Sequence, residues 1–120
     1  MKYGIEIDLR YEAGPHDDPA SEVESIVEHL IDLEPCTAGL LDSTVGMDLA
    51  ARTVKVELTV EAGSAGAALD LAVSYLRTAI HAAGGSTPGW ENEPTTYGHI
   101  AFIIDDAEGL NVRRLQLAPA

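Results

Sequence analysis

The chemistry available to this chain is sparse and scattered. Ala62-Gly63-Ser64-Ala65-Gly66 sets a serine among small residues between a strand and a helix, as a nucleophile elbow does. That device needs a parallel sheet that brings a histidine and an acid to the serine, and the chain is too short for such an architecture. Ser64 fits better as the cap of the following helix, its hydroxyl accepting an orphan backbone N–H. Anion binding at this helix start is opposed by Glu61 close by.

The carboxylates are numerous but weakly organised. Glu24, Glu28 and Asp32 recur every four residues along a first helix, with His29 adjacent and Asp17, Asp18 and His16 just upstream. Such oxygens suit a hard cation. No Asp-x-Asp-x-Asp-Gly loop and no His-x-x-x-His pair accompanies them, so a solvated face is the expectation. Asp105-Asp106-Ala107-Glu108-Gly109 reads the same way, as a hairpin turn. The lone Cys36 excludes an internal disulfide and a thiolate-rich site. It reads as part of a connector after the first helix, and with Asp32 and Glu34 as neighbours it is expected to be inert.

Among the histidines and aromatics, His81 falls near the end of a second helix on the flank of Asp70, Ser74 and Arg77. A histidine there complements the helix dipole without any further role. Trp90, Tyr97 and His99 lie in or beside a polar, proline-containing segment, 86–96, and are the ligand-binding candidates if a pocket opens between that loop and a sheet. Trp90 fits an anchor closing the loop over the core better than a recognition residue. None of these groups completes a catalytic set.

Charge narrows the partners. Twenty acidic against seven basic side chains leave a net charge of −13, which repels phosphate backbones and anionic membranes. Only Arg113-Arg114 forms a basic pair. A basic protein partner, a cation or plain solubility remains open, while nucleic acid and membrane are not expected. No stretch approaches the roughly 20 apolar residues of a membrane-spanning helix. The alternating apolar and charged N-terminus does not match a secretory signal, so a cytoplasmic location is expected.

The elements that must position these residues follow from periodicity. Tyr3, Ile5, Ile7, Leu9 and Tyr11 share one face of a strand, with Glu6, Asp8 and Arg10 on the other. Asp18-Pro19 gives a cap and first-turn proline, and Val23, Ile26, Val27 and Leu30 form the stripe of a helix ending near Pro35. A hairpin spans Leu40 to Val60 with its turn near Ala50-Ala51-Arg52. Its second arm alternates clearly through Val54, Val56, Leu58 and Val60, whereas the register of the first is weak. An Ala-rich helix with a stripe of Leu69, Ala72, Val73, Leu76, Ile80 and Ala83 stops at Gly84-Gly85. His99–Ile104 and Leu110–Leu117 complete the strands.

The 120 residues therefore make one α+β domain, 1–120, of order βαββαβ with an additional C-terminal strand. This layout resembles the ferredoxin-like sandwich, an antiparallel sheet with two helices on one face, and that resemblance alone transfers no function. Leu71, Tyr75, Ala79 and Ala82 add a second apolar side to the second helix, to be covered by the first helix or by another subunit. With the C-terminal strand and its Arg113 and Arg114, Leu71 and Tyr75 are the interface candidates for a homodimer.

The leading expectation is a non-enzymatic interaction or regulatory module that self-associates. The alternative is a small enzyme or ligand-binding protein with a pocket between the sheet and the 86–96 loop. No cofactor and no structural metal are expected, because one cysteine and four dispersed histidines assemble no closed ligand set. A chelator should accordingly leave the melting temperature unchanged, and a fall of many degrees on adding EDTA would contradict this.

Overall fold

The computed structural model describes residues 1–36, 39–87, 90, 100–104 and 110–115, with the backbone alone for 36, 111 and 113–115. Strand β1 (Lys2–Ala13) is followed by helix α1 (Pro19–Cys36), strands β2 (Leu40–Asp48) and β3 (Thr53–Glu61), and helix α2 (Ala65–Ala82). Strands β4 (Ile100–Ile104) and β5 (Leu110–Leu115) follow. The chain is α+β, and the pairings among the described strands are antiparallel.

The fold is organised by β1. Its odd-numbered apolar residues, Tyr3 to Tyr11, are buried, while the intervening residues are exposed or half-buried. Val54, Val56, Leu58 and Val60 of β3 continue the same buried layer. Helix α2 lies over β1 and β3, and α1 packs against α2 and β2. Val23, Ile26 and Leu30 of α1 are buried as its stripe requires.

The helix ends obey local rules. Asp18 Oδ1 accepts the Ser21 N–H at 3.2 Å, and Ser64 Oγ accepts the Ala67 N–H at 3.2 Å, so both caps are the residues their types suggest. At the end of α2 the Gly84 N–H donates to the His81 carbonyl at 3.0 Å and the Gly85 N–H to the Ile80 carbonyl at 2.9 Å. This is a Schellman closure, and Gly84 supplies the left-handed residue with φ +92°. Helix α1 runs one residue beyond Pro35, so Cys36 ends the helix instead of lying in a connector.

The buried line of α2 is rotated from the expected stripe. It runs through Ala68, Ala72, Leu76, Ala79 and Ile80, with Leu69, Val73 and Ala83 half-buried at its margins. Alanines on the deepest line let the helix approach the sheet, which moves the larger side chains to the flanks. The weak register of β2 also has a cause. A bulge at Leu41 shifts the pairing between Leu40↔Val60 and Asp42↔Thr59, which breaks the alternation visible in the sequence. The hairpin closes where expected, with Arg52 at φ +58° and Asp48 Oδ1 accepting the Ala51 N–H at 3.0 Å.

The strand order departs from the expected layout at its last member. The sheet runs β2-β3-β1-β4, and β5 also pairs with β1 instead of adding a strand beyond β4. Strand β4 occupies Leu9–Ala13 of β1 and β5 occupies Lys2–Ile7. Both run antiparallel to β1, so they lie end to end along one of its edges and do not form a hairpin with each other. Asp8 alone separates the two pairings on β1, while residues 105–109, outside the described set, separate the strands in sequence. Twelve residues of β1 are long enough to hold both.

Leu76 is fully buried at the middle of α2. Truncation to alanine should lower stability by about 2–5 kcal/mol, as for other buried leucines, read as a shifted denaturation midpoint. An unchanged midpoint would place Leu76 outside the core.

Candidate functional site

Two regions gather polar side chains. The first lies at the end of α2. His81 Nε2 is 2.8 Å from Oγ1 of Thr87, a side chain with no exposed surface. A buried hydroxyl needs a partner, and the imidazole supplies it. The outer part of the ring is open to solvent, yet desolvation at its inner end, with the Arg77 guanidinium as second cause, lowers its pKa below 6.5. The neutral ring is thus the form the folded protein favours.

The chain after α2 is held tightly. The Ser86 N–H donates to the Ile100 carbonyl and the Phe102 N–H to the Ser86 carbonyl, each at 2.9 Å. Ser86 thereby covers the outer edge of β4 through a parallel bridge to Ala101. Gly85 sits where three elements converge. A Cβ there would lie 2.9 Å from Ile80 Cγ2, 3.0 Å from Phe102 Cε2 and 3.2 Å from Glu22 Oε1.

Trp90 belongs to this closure. Its indole is 4% exposed and Nε1 donates to the Phe102 carbonyl at 3.1 Å, so its one donor is spent inside the protein. The indole therefore anchors its segment against β4. Tyr97 and His99, its companions in the expected pocket, lie outside the described residues.

The remaining candidates are placed as follows. Leu71 and Tyr75 are half-buried and pack against the core. A Cβ on Gly39, whose φ is +102°, would fall 3.6 Å from Tyr75 Oη and 4.0 Å from Leu71 Cδ1, so the entry to β2 covers part of that helix side. Ala79 is in the core, and Ala82 is exposed. Arg113 and Arg114 stand opposite Gly4 and Tyr3 in the β1–β5 register. Ser64 is a helix cap. No cluster of His, Cys, Asp or Glu fit to hold a metal is present among the described residues. None of the described helices is long and apolar enough to cross a membrane.

The second region is the sheet face away from the helices, the side of β1 that carries Glu6, Asp8 and Arg10. Here Glu6 of β1 stands directly opposite Glu57 of β3. Like charges at opposed positions destabilise a sheet. Lys55 relieves one of them, its Nζ 2.9 Å from Glu6 Oε1, and its pKa is raised first by that hydrogen bond and then by the charge of Glu6. Glu57 faces Thr44 on its other side. Two residues from Glu6, Gly4 removes a side chain from the strand interior, which costs roughly 0.5–1 kcal/mol relative to alanine. A concavity of about 190 Å³ opens above it, rimmed by Glu6, Asp42 and Glu57 with the hydroxyls of Thr44 and Thr59. The signal in the sequence was a glycine inside an otherwise regular strand.

Comparison with protein-family profiles, with curated proteins and with solved structures finds no match to this chain.

The His81 arrangement makes stability depend on pH. Because the folded state holds the ring below its ordinary pKa, this contribution is complete above about pH 6.5 and is lost as pH falls through the depressed value. Between about pH 7.5 and 5.5 the wild type should therefore lose more stability than His81→Gln. Equal losses in urea denaturation would show that the ring does not sense its burial.

Proposed function

We propose that the protein is a non-enzymatic interaction or regulatory module of the cytoplasm, built on a ferredoxin-like unit, that works as a homodimer or larger self-assembly. The order β2-β3-β1-β4, with a helix after β1 and after β3, supports the fold reading. The observation that carries self-association is the outer edge of β2. Among the described residues, this nine-residue strand pairs only with β3. A strand of that length with a free edge invites another chain.

Three exposed large apolar side chains belong to β2, to the residue after it and to the helix packed on it. Leu41 in β2 is 42% exposed, Leu49 just past its end 59%, and Ile31 on α1, the helix that packs on β2, 53%. The opposite margin is less open, because Ser86 takes up backbone groups of β4. Asp42 and Asp48 lie along β2 but spend carboxylate oxygens on the N–H groups of Ser43 and Ala51. An isologous β2–β2 contact would extend the sheet across two subunits and cover Leu41.

Sedimentation at high micromolar concentration should show a species heavier than a monomer. Replacing Leu41 and Leu49 with lysine should shift it toward monomer while the monomer still unfolds in one cooperative transition. A wild-type monomer under these conditions overturns the reading. Dissociation by Arg113→Glu with Arg114→Glu, but not by the leucine pair, would move the contact to the β5 edge.

A further inference from the structure

The sheet face turned away from the helices has no covering layer among the described residues, and its charge pattern states what would complement it. Asp42 of β2, Glu57 and Glu61 of β3 and Glu6 and Asp8 of β1 all project on this side. Lys55 lies among them and is already bound to Glu6. Arg10, near the far end of β1, is paired with Glu12 at 3.0 Å. Lys2 stands at the other end of β1, so among the described side chains negative charge is densest over β2 and β3.

Two departures from ordinary sheet construction coincide here. One is the opposed Glu6–Glu57 pair, in which Lys55 is bound to Glu6 and meets Glu57 only through its charge. The other is Gly4, which gives up strand stability and leaves the concavity. Locally unfavourable choices without a structural return mark functional surfaces. The concavity, at about 190 Å³, is smaller than the roughly 300–1,000 Å³ of small-molecule pockets and suits the end of one long side chain.

We propose that this open face docks a lysine- or arginine-rich segment of a partner protein, with one cationic side chain entering the concavity above Gly4 between Asp42 and Glu57. A second copy is a poor occupant, since facing two such surfaces would oppose carboxylates to carboxylates. Nucleic acid is excluded by the same sign of charge. The proposal shares the interaction-module reading but is independent of the β2 contact, which lies on the sheet's edge and leaves this face free.

The probe is an extended peptide of alternating arginine and threonine, whose period places every arginine on one face. Isothermal titration at low salt should show binding that Glu57→Gln with Asp42→Asn weakens about tenfold. The charge-matched control, Glu24→Gln with Glu28→Gln on the exposed side of α1, should leave it within about threefold. The melting temperature of the face variant, Glu57→Gln with Asp42→Asn, should match the wild type's, so weaker binding cannot be laid to unfolding. Equal losses in the two double variants, or no binding by the wild type, would overturn the proposal. Spermine binding as tightly as the peptide would overturn the choice of a protein segment. Sedimentation of the face variant should match the wild type, which separates this result from any failure of self-association.

Discussion

Everything in this protein depends on the alternation of β1. Tyr3, Ile5, Ile7, Leu9 and Tyr11 form one buried row, and a shift of one residue would turn that whole row to solvent. The row therefore fixes register on both sides. On one edge it sets Ile5 against Leu58 and Ile7 against Val56. On the other it sets Tyr11 against Phe102, the rings 6.5 Å apart and tilted by 51°, and Ile5 against Val112. A strand long enough to carry five inward apolar side chains is also long enough to hold two partners end to end, and β4 and β5 share its edge for that reason.

The second constraint is closeness at the end of α2. The Schellman turn redirects the chain onto β4, and Gly85 lies where Ile80, Phe102 and Glu22 leave no room for a side chain. Ser86 and Trp90 then bind β4 by backbone and indole hydrogen bonds. The same crowding buries Thr87 and draws His81 toward it, so a titratable ring becomes part of the fold's closure. Packing and electrostatics are coupled there, since the desolvation that accompanies tight closure is what disfavours the charged imidazole.

Because both helices gather on the buried side, the polar residues of β1, β2 and β3 are left together on the other. A sheet with one covered face is stable when its other face is well solvated. This one is solvated by carboxylates in excess, with Gly4 near the start of β1, and among the described residues β2 pairs only with β3. The two surfaces proposed for contact share one origin in this one-sided architecture: among the described residues the sheet ends at β2, and no layer covers its acidic face.

The periodicities of β1, β3 and α1, both helix caps and the glycine stop of α2 were legible in the sequence, because each is set by residues within a turn or a strand of one another. The antiparallel α+β class followed, since amphipathic elements must pair their apolar sides. Tertiary structure decided the rest. Nothing local distinguishes a hairpin after β4 from two strands laid along β1, because that choice depends on the length of a strand nearly a hundred residues earlier in the chain. The rotation of α2 was likewise set by the sheet it approaches, and alanines fit the closest line of contact whatever the helix's own apolar average. Glu6 and Glu57 are unremarkable apart, and only the β1–β3 register makes them face each other beside Gly4. Local structure is written in neighbouring residues, whereas a surface between strands is written in a register that only the folded core enforces.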